Sequence, residues 1–526
     1  MISFPFTLSL ALLGLLFCVS ALPVVPPSQA PLSVPSETFH PKRDAQVLIL
    51  GGGVAGVIAA RTLHEQGVTN FIIVEARKEL GGRMMSHAFG APDHQYIVEL
   101  GANWVQGTKT GNGIENPIWA LAKKHNVTTR PNDYFNNIAT YDDTGAVDFQ
   151  SDVQASKEAF QRLIASAGRR VPKRLVDMTA RSGYSLTGSL PETRYARAAE
   201  YYQFDWEFGT TPEETSWLSS SWVHVMGCSL KALAHNYTYD PESGGFSYEN
   251  LFSIDQRGFK ALIEYEARSF LTPDQLRLNS TVRLISSSQN GAMVTLTDGT
   301  RLWADYALCT FSLGVLQHND VVFEPQLPIW KREAIHSMAM GTYTKIFLQF
   351  PEKFWFDTEM ALYADHERGR YPVWQSLDHP SMLPGSGILL ATVTGDFSKR
   401  IESLSDFAVK DEVLTVLRSM FPDTCIPEPL DFYFRRWHTD PLFRGSYSNW
   451  PASFLSEHQG NLRANVDERL WFAGEATSRK HFGFLHGAYS EGLEIGRTLA
   501  QCVKGGGCLG LEHIDQVRNA RPYDDV

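Results

Sequence analysis

A glycine-rich turn between two apolar runs restricts what this chain can fold into more than any other feature. Residues 47–75 read VLILGGGVAGVIAARTLHEQGVTNFIIVE. A short β-branched run enters three glycines, a helix-like run follows, and a second apolar run ends on an acid. Strand, glycine turn, helix, strand and acid follow one another in this order in the first half of a dinucleotide-binding unit.

Each residue of this motif has a predicted task. Gly51 permits the tight turn, Gly53 lets the backbone approach a pyrophosphate, and Gly56 lets helix and strand pack closely. Glu75 follows Gly56 by 19 residues, close to the roughly 20 expected for the acid that accepts ribose hydroxyls. The motif therefore predicts a nucleotide cofactor with an adenosine ribose. It leaves open whether nicotinamide or flavin completes that cofactor.

The N-terminal residues have the composition of a targeting segment. Residues 4–20 are apolar and uncharged, and the small residues at 19–21 suit a signal peptidase, so residues 1–21 are predicted to be a signal peptide. The alternative, an uncleaved anchor, is disfavoured because the run is short for a membrane span. Residues 22–43 are rich in Pro and Ser, which predicts an extended propeptide or linker. It ends in Lys42-Arg43, and we hypothesise a cut after Arg43.

Further features fit a secreted, extracellular protein without a stable membrane span after signal removal. Asn126, Asn236 and Asn279 lie in Asn-x-Ser/Thr triplets and are predicted glycosylation sites. Cys502 and Cys508 bracket a flexible VKGGG loop that a disulfide would close. The other cysteines are expected to be small, buried apolar residues.

Charge and residue spacing argue against two kinds of partner. The net charge of −11 over 526 residues speaks against nucleic acid. No Cys/His group has metal-ligand spacing, so no metal site is predicted. The oligomeric state is not readable from the sequence.

The pattern along the chain predicts an α/β fold in two interleaved parts. Residues 150–205 have helix-like periodicity, and residues 281–310 have short alternating runs around Asn-Gly and Asp-Gly turns, typical of an antiparallel meander. A Rossmann-like cofactor domain interleaved with an α+β substrate domain fits this alternation. The predicted cofactor domain comprises 44–115, 245–325 and 460–505, the substrate domain 116–244 and 326–459, and the C-terminal tail 506–526.

Four motifs, in this order, resemble the flavin amine oxidases. They are GGGVAG with the following EAR, GGR at 81–83, ELGANW at 99–104, and FAGEAT at 472–477. The runs FDWEF (204–208), YTKIFLQFPEKFW (343–355) and GSYSNWP (445–451) are most similar to secreted, plant-type polyamine oxidases. The resemblance implies FAD as the cofactor and the fold shared by amine oxidases and p-hydroxybenzoate hydroxylase.

The resemblance also implies which residues meet FAD. Glu75 would bind the adenosine ribose, Arg83 would lie near the phosphates and flavin, and Glu475 would hold the ribityl–pyrophosphate region. No cysteine lies in the turn at 481–489, and noncovalent FAD is expected. The full cofactor-binding set is Gly51, Gly53, Gly56, Glu75, Arg77, Arg83, Gly101, Ala102, Asn103, Trp104, Val282, Glu475 and Leu485.

Lys345 is the catalytic residue that the resemblance implies. On its own it is a lysine at the start of an apolar strand, where such side chains usually extend to water. In the family the lysine at this position hydrogen-bonds a water at flavin N5, and burial can lower the pKa of a lysine toward neutrality. The implied reaction is hydride transfer from the carbon α to an amine nitrogen, imine hydrolysis, and reoxidation by O2 to H2O2.

The implied substrate site is an aromatic tunnel with few charges. Its predicted members are Trp104, Gln106, Glu207, Tyr343, Tyr447 and Phe484. Plant polyamine oxidases have a glutamate where this chain has Gln106, and usually a tyrosine where it has Phe484. Glu207 would pair with a substrate ammonium, whereas Asp205 is expected at the surface.

Three functions follow from these residues. The first is a secreted FAD-dependent oxidase of polyamines or related secondary amines. The second is a flavin oxidase or desaturase of an alkaloid-like or amino-acid substrate. A basic residue facing the tunnel would favour the amino acid, and the sequence does not place Arg130 or Arg444 there. The third, a flavin-binding protein without turnover, is disfavoured because Lys345 and all four motifs are present. The sequence leaves the amine and the cleaved C–N bond open.

Overall fold

The structure is a computed structural model that describes 42–109, 111, 113–132, 134–135, 137–170, 175–223, 246–247, 249–505, 508 and 513. The predicted signal peptide, almost all of the Pro/Ser-rich segment, Cys228, Asn236 and most of the tail after 505 lie outside these residues. No helix in the described ranges has both the length and the apolar composition that a membrane crossing requires.

An eight-stranded sheet carries the glycine turn. Its central strand Ala45–Leu50 pairs in parallel with Phe71–Val74 on one side and Arg301–Cys309 on the other. Val47 to Leu50 are fully buried, as expected for a parallel strand covered on both faces. The other strands are Leu276–Arg277, Val282–Ser288, Gly291–Leu296, Val322–Glu324 and Leu470–Phe472.

Two long helices pack against each other beside this sheet. The helix Val54–Glu65 follows the glycine turn, and the helix Leu485–Gly505 lies against it. A Cβ on Gly492 would come within 2.4 Å of the Ala55 carbonyl oxygen, so the small residue permits the close approach. The helices Pro117–Lys124, Ala261–Arg268, Leu313–Gln317, Ile329–Ser337 and Ser456–Arg463 and the 3₁₀ turns Pro273–Gln275 and Glu475–Thr477 complete this part.

A seven-stranded, mostly antiparallel sheet forms the second part. Its strands, in spatial order, are Asp431–Phe434, Tyr343–Gln349, Ile388–Thr394, Val373–Ser376, Met360–Tyr363, Ile138–Asp142 and Gly145–Ala146. Its helices are Gln150–Gly168, Ala180–Leu186, Arg194–Glu200, Trp206–Phe208, Trp217–Val223, Gly395–Glu402 and Asp406–Met420, with a π-helical turn at Tyr201–Asp205.

Three small sheets join these parts. Trp104–Gln106 and Thr129–Pro131 both pair with Asn250–Ser253. Ser86–Phe89 pairs with Tyr96–Glu99, and Ala339–Gly341 pairs with Tyr447–Asn449. Segments far apart in the chain, such as 104–106 and 250–253 or 339–341 and 447–449, therefore pair in these small sheets.

The predicted fold class is confirmed. The first sheet takes its strands from 45–74, 276–324 and 470–472, and the second from 138–146 and 343–434, which is the expected interleaving. The helical stretch and the antiparallel meander are confirmed as well. The domain boundaries stay predictions.

The cysteines match the expectation in part. Cys502 and Cys508 form a disulfide, a pairing that the sequence allowed but left open. Cys309 is buried, but Cys425 is exposed, so the prediction that it is a buried apolar residue is wrong. Cys425 follows the exposed Asp423 and Thr424 in a segment without helix or strand, where no element packs over it.

Candidate functional site

One cavity of about 1520 Å³ joins the glycine turn to a cluster of aromatic side chains. We call the part lined by Gly51, Gly53, Glu75, Arg83 and Glu475 the glycine end. The part lined by Trp104, Glu207, Tyr343, Lys345 and Tyr447 is the aromatic end. Every residue predicted to be catalytic or to bind substrate or cofactor lines this cavity except Gly56. Those not yet named are Arg77, Gly101, Ala102, Asn103, Gln106, Val282, Phe484 and Leu485.

The glycine turn is packed tightly against the protein at Gly56 but faces open cavity space at Gly53. Gly51 has a φ of +110°, a conformation that favours glycine. A Cβ on Gly56 would lie 2.0 Å from the Gly51 carbonyl oxygen, so Gly56 serves the packing of the turn and not the cavity wall. A Cβ on Gly53 would meet no protein atom closer than 3.7 Å. The space beside Gly53 belongs to the cavity.

Glu75 stands at the end of strand Phe71–Val74 with its carboxylate held by backbone. Its oxygens accept hydrogen bonds from Gly52 N at 2.7 Å and Arg77 N at 2.8 Å. Burial raises the pKa of Glu75, and these two bonds oppose that shift. Each oxygen keeps a second lone pair, so the carboxylate suits the hydroxyls of a ribose.

Arg83 and Glu475 form an ion pair across the glycine end. Arg83 Nη1 lies 2.8 Å from Glu475 Oε1 and donates to the Ser446 carbonyl at 3.0 Å. Glu475 also accepts from Ser448 N at 3.1 Å and Gly483 N at 2.7 Å. A single buried acid thus ties three segments together next to the cavity.

Lys345 lies inside the protein, although strand-end lysines usually reach water. Its ammonium nitrogen donates to the carbonyl oxygens of Gly101 at 2.7 Å and Glu99 at 3.1 Å. Only 4% of the residue is exposed. Burial lowers the pKa of Lys345 to about 7, against the opposing charge of Glu99. The buried Glu99 carboxyl has its own pKa raised to about 7 by desolvation.

Aromatic rings form the walls around Lys345. The Trp104 ring centroid lies 5.6 Å from Lys345 Nζ, and the rings of Tyr343 and Tyr447 are 6.1 Å apart. Burial raises the pKa of both tyrosines well above the ordinary value, so they remain neutral phenols. Phe484 stacks on His486 at 5.0 Å. The walls favour a cationic or apolar guest and exclude water.

The π-helical turn Tyr201–Asp205 brings Glu207 to the cavity and places Asp205 inside the protein. Asp205 is 2% exposed and binds Arg368 Nη2 at 2.7 Å, so its expected surface position is wrong. Arg368, which stabilises the buried charge, lies far away in the sequence. Burial still raises the pKa of Asp205 to about 7. The Glu207 carbonyl accepts a hydrogen bond from Tyr447 Oη at 3.0 Å.

The two arginines considered for a substrate carboxylate do not line the cavity. Arg130 is exposed on the short strand Thr129–Pro131. Arg444 places Nε and Nη2 on the carboxylate of Asp320, each at 2.7 Å. Neither arginine is therefore placed to bind a substrate carboxylate in this cavity.

Several cavity residues were missed by the reasoning from sequence. They are Tyr134, Trp206, Phe246, Asn250, Trp437, His481 and His486. The two histidines flank Phe484 in the HFGFLHGAY turn, and their spacing was a usable signal. The remaining residues come from other segments and carry no local pattern.

Two buried polar atoms of cavity-lining residues lack hydrogen-bond partners among the described residues and are available to a ligand. Asn103 Oδ1 and Trp104 Nε1 have no hydrogen-bond partner within the described part of the protein, and both residues line the cavity. Buried polar groups without partners are uncommon. The turn, the carboxylate of Glu75, the Arg83–Glu475 pair and these open groups fit a flavin dinucleotide. The helix Leu485–Gly505 begins beside it, where its N-terminal dipole favours negative charge.

Comparisons with known proteins agree with this geometry. The family model for flavin-containing amine oxidoreductases matches residues 54–497. Polyamine oxidase 7 of Oryza sativa subsp. japonica is 35% identical over 85% of this chain and 93% of its own length. Polyamine oxidase 1 of Zea mays is 35% identical over 87% of this chain and 91% of its own.

A solved structure of a putrescine oxidase variant has the same fold. It aligns with a TM-score of 0.65 and 16% identity, and it covers 87% of this chain and 99% of that protein. The family match extends over most of both sheets and most of the cavity lining, beginning just after the glycine turn. The chain belongs to the flavin-containing amine oxidoreductases, with FAD as its cofactor and a small amine as its substrate.

Proposed function

We propose that this enzyme oxidises the carbon next to an amine nitrogen of a polyamine or related secondary amine and passes the electrons to O2. The observation that carries the proposal is the buried Lys345 at the aromatic end of the cavity, whose pKa is lowered to about 7. The relatives named polyamine oxidases support the substrate class. Bound FAD would accept the hydride, which carries both electrons of the oxidation.

The residues of the aromatic end would prepare the amine for this reaction. The faces of Trp104, Tyr343 and Tyr447 hold the alkylamine and keep water away from the reacting carbon. Glu207 pairs with an ammonium group of the substrate that does not react. Lys345 exchanges a proton through water, because a neutral amine at that position accepts one near neutral pH.

The charge at the aromatic end favours an amine with few positive charges. Gln106 lines the cavity next to Asn250 across the strand pair, and its amide carries no charge. Plant polyamine oxidases are expected to have two tunnel carboxylates, one at the position of Gln106 and one at that of Glu207. This chain keeps only the second of them. An N-acetylated polyamine or another secondary amine therefore belongs in the same test as spermidine.

Turnover with a panel of amines tests the proposal. We expect spermidine or N-acetylspermine to consume O2 and release equal amounts of H2O2 and an aldehyde product. Phenylalanine serves as the amino-acid arm and is expected to be inactive. H2O2 from phenylalanine alone would replace the proposal by the amino-acid oxidase alternative.

We also propose that the protein is secreted, glycosylated and loaded with noncovalent FAD. Asn126 and Asn279 are exposed, and the Cys502–Cys508 disulfide suits an oxidising compartment. We expect protein secreted from a eukaryotic host to start after residue 21 or after Arg43, to lose mass with an endoglycosidase, and to release its flavin on acid precipitation. Protein retained in the cells without glycan would contradict secretion.

A further inference from the structure

The carboxylate of Glu402 is buried beside the strand Tyr343–Gln349 and accepts hydrogen bonds from three consecutive backbone N–H groups. Glu402 ends the helix Gly395–Glu402 and is 3% exposed. Its oxygens accept from Trp437 N at 3.0 Å, His438 N at 2.9 Å and Thr439 N at 3.1 Å. None of the ion pairs in the described part of the chain involves Glu402. Three consecutive N–H donors therefore take the place of a cation.

These three bonds fix the backbone beneath a cavity wall. The Trp437 side chain is buried and lines the cavity. The point at which a Cβ of Gly101 would lie is 3.5 Å from the Trp437 ring, so the ring stands beside Gly101. The Gly101 carbonyl is the closer of the two acceptors of Lys345 Nζ. Trp437 thus stands next to the residue whose carbonyl holds the lysine.

Glu402 also contacts the strand that carries Lys345. The Thr344 hydroxyl lies 3.3 Å from Glu402 Oε1 and 2.6 Å from Ser398 Oγ. Neighbouring residues of a strand point to opposite faces. Thr344 therefore faces Glu402 while Lys345 faces Gly101. One carboxylate holds both the segment of Trp437 and the residue before Lys345.

We propose that Glu402 is a positioning residue for amine oxidation. It does not line the cavity; it holds the segment of Trp437 beside Gly101 and the strand residue next to Lys345, and so sets where Lys345 and its carbonyl acceptors stand. This inference rests on the proposed function, because its effect is on the transfer of electrons from amine to flavin. Misplacement of reacting groups by about 1 Å can cost about a hundredfold in rate.

The test is Glu402→Gln in the full chain loaded with FAD. Glutamine keeps one acceptor oxygen, but its NH2 faces N–H donors. We expect FAD to stay bound, the limiting rate of flavin reduction to fall about tenfold, and the apparent Kd of the amine to change less than about twofold. Amide hydrogen exchange at 437–439 should become faster, and the visible circular dichroism of the flavin should change.

A control and a second variant separate positioning from general stability. Glu412→Gln removes a neighbouring carboxylate that pairs with Arg400 at 2.7 Å and should match the wild type in flavin reduction and in exchange at 437–439. Glu402→Asp keeps the charge on a shorter side chain and is used if the glutamine variant does not fold. It should show a smaller loss of the same kind.

A double variant tests whether Glu402 acts through Trp437. After Trp437→Phe, the further change Glu402→Gln should add less than about twofold to the loss, because the two residues form one unit. Losses that multiply would overturn the inference. So would a wild-type rate in Glu402→Gln with unchanged exchange at 437–439. Failure of every amine to reduce the wild type would instead refute the proposed function.

Discussion

At the glycine end of the cavity, one short segment shapes the site around Glu75, whereas at the aromatic end buried side chains from separate segments make the site. Glu75 is held by the N–H groups of Gly52 and Arg77. Lys345 is held by two carbonyls from another segment and is shifted in pKa by burial. The first arrangement depends on local chain geometry, and the second depends on the tertiary fold. Substitutions at the two ends should therefore fail in different ways.

Lys345→Met should have the largest effect, and only on chemistry. Methionine fills a similar volume but exchanges no proton, so we expect flavin reduction or reoxidation to slow about a hundredfold with FAD still bound. Stopped-flow measurement of both half-reactions checks this. Lys399→Met, at the exposed Asp396 ion pair, is the control. Wild-type rates in both half-reactions would remove Lys345 from the mechanism.

Gly53→Ala should weaken the binding of FAD, whereas Lys345→Met should leave it bound. The added methyl meets no protein atom closer than 3.7 Å, and the backbone conformation is extended, so the protein without FAD should unfold at nearly the wild-type temperature. The methyl would occupy space that a pyrophosphate needs, and the Kd of FAD should rise about tenfold or more. Titration of the apoprotein with FAD measures it, with Gly505→Ala as control. An unchanged Kd would contradict the placement of the cofactor.

The pH dependence of flavin reduction near neutrality should come from Lys345 at the aromatic end. Burial lowers the pKa of Lys345 to about 7, so the lysine is protonated below that pH and neutral above it. The rate of flavin reduction should rise as the pH increases through about 7, and this inflection should be absent in Lys345→Met. Glu99, also near 7, is coupled to it, so the inflection reports the pair. Persistence of the inflection in Lys345→Met would assign it to another group.

Gln106→Glu should have the smallest effect and sharpen the substrate assignment. A carboxylate at this position adds attraction for a second ammonium but loses part of it to desolvation. We expect the apparent Kd of spermidine to fall about fivefold and that of N-acetylspermine to change less. Gln106→Met, which is neutral, is the matched control. Equal changes for both amines would show that Gln106 does not face the distal nitrogen.

The difference between the two ends also explains what the sequence allowed us to predict. Gly51, Gly53, Gly56 and Glu75 were predicted because one short segment supplies the strand, turn, helix and acid. Lys345 and the aromatic residues required the family resemblance, since they come from separate segments. Asp205 was misplaced at the surface because its partner Arg368 is 163 residues away.

Local composition was likewise silent about residues fixed by packing. Trp437 and Tyr134 line the cavity, but nothing in their own segments distinguishes them from core aromatics. Glu402 is a helix-end acid in the sequence, and its three N–H donors come from residues 437–439. Contacts of this kind follow from the arrangement of the second sheet and its helices. The hydrophobic periodicity of the chain does not predict such contacts.

The most direct measurement is anaerobic titration of the oxidised flavin with amine. In one cavity that joins both ends, spermidine or N-acetylspermine should bleach the flavin band completely with one equivalent of oxidised amine formed per flavin, and admission of O2 should restore the band. A flavin that stays oxidised with every polyamine and N-acetylated polyamine, in protein that binds FAD normally, would contradict the account.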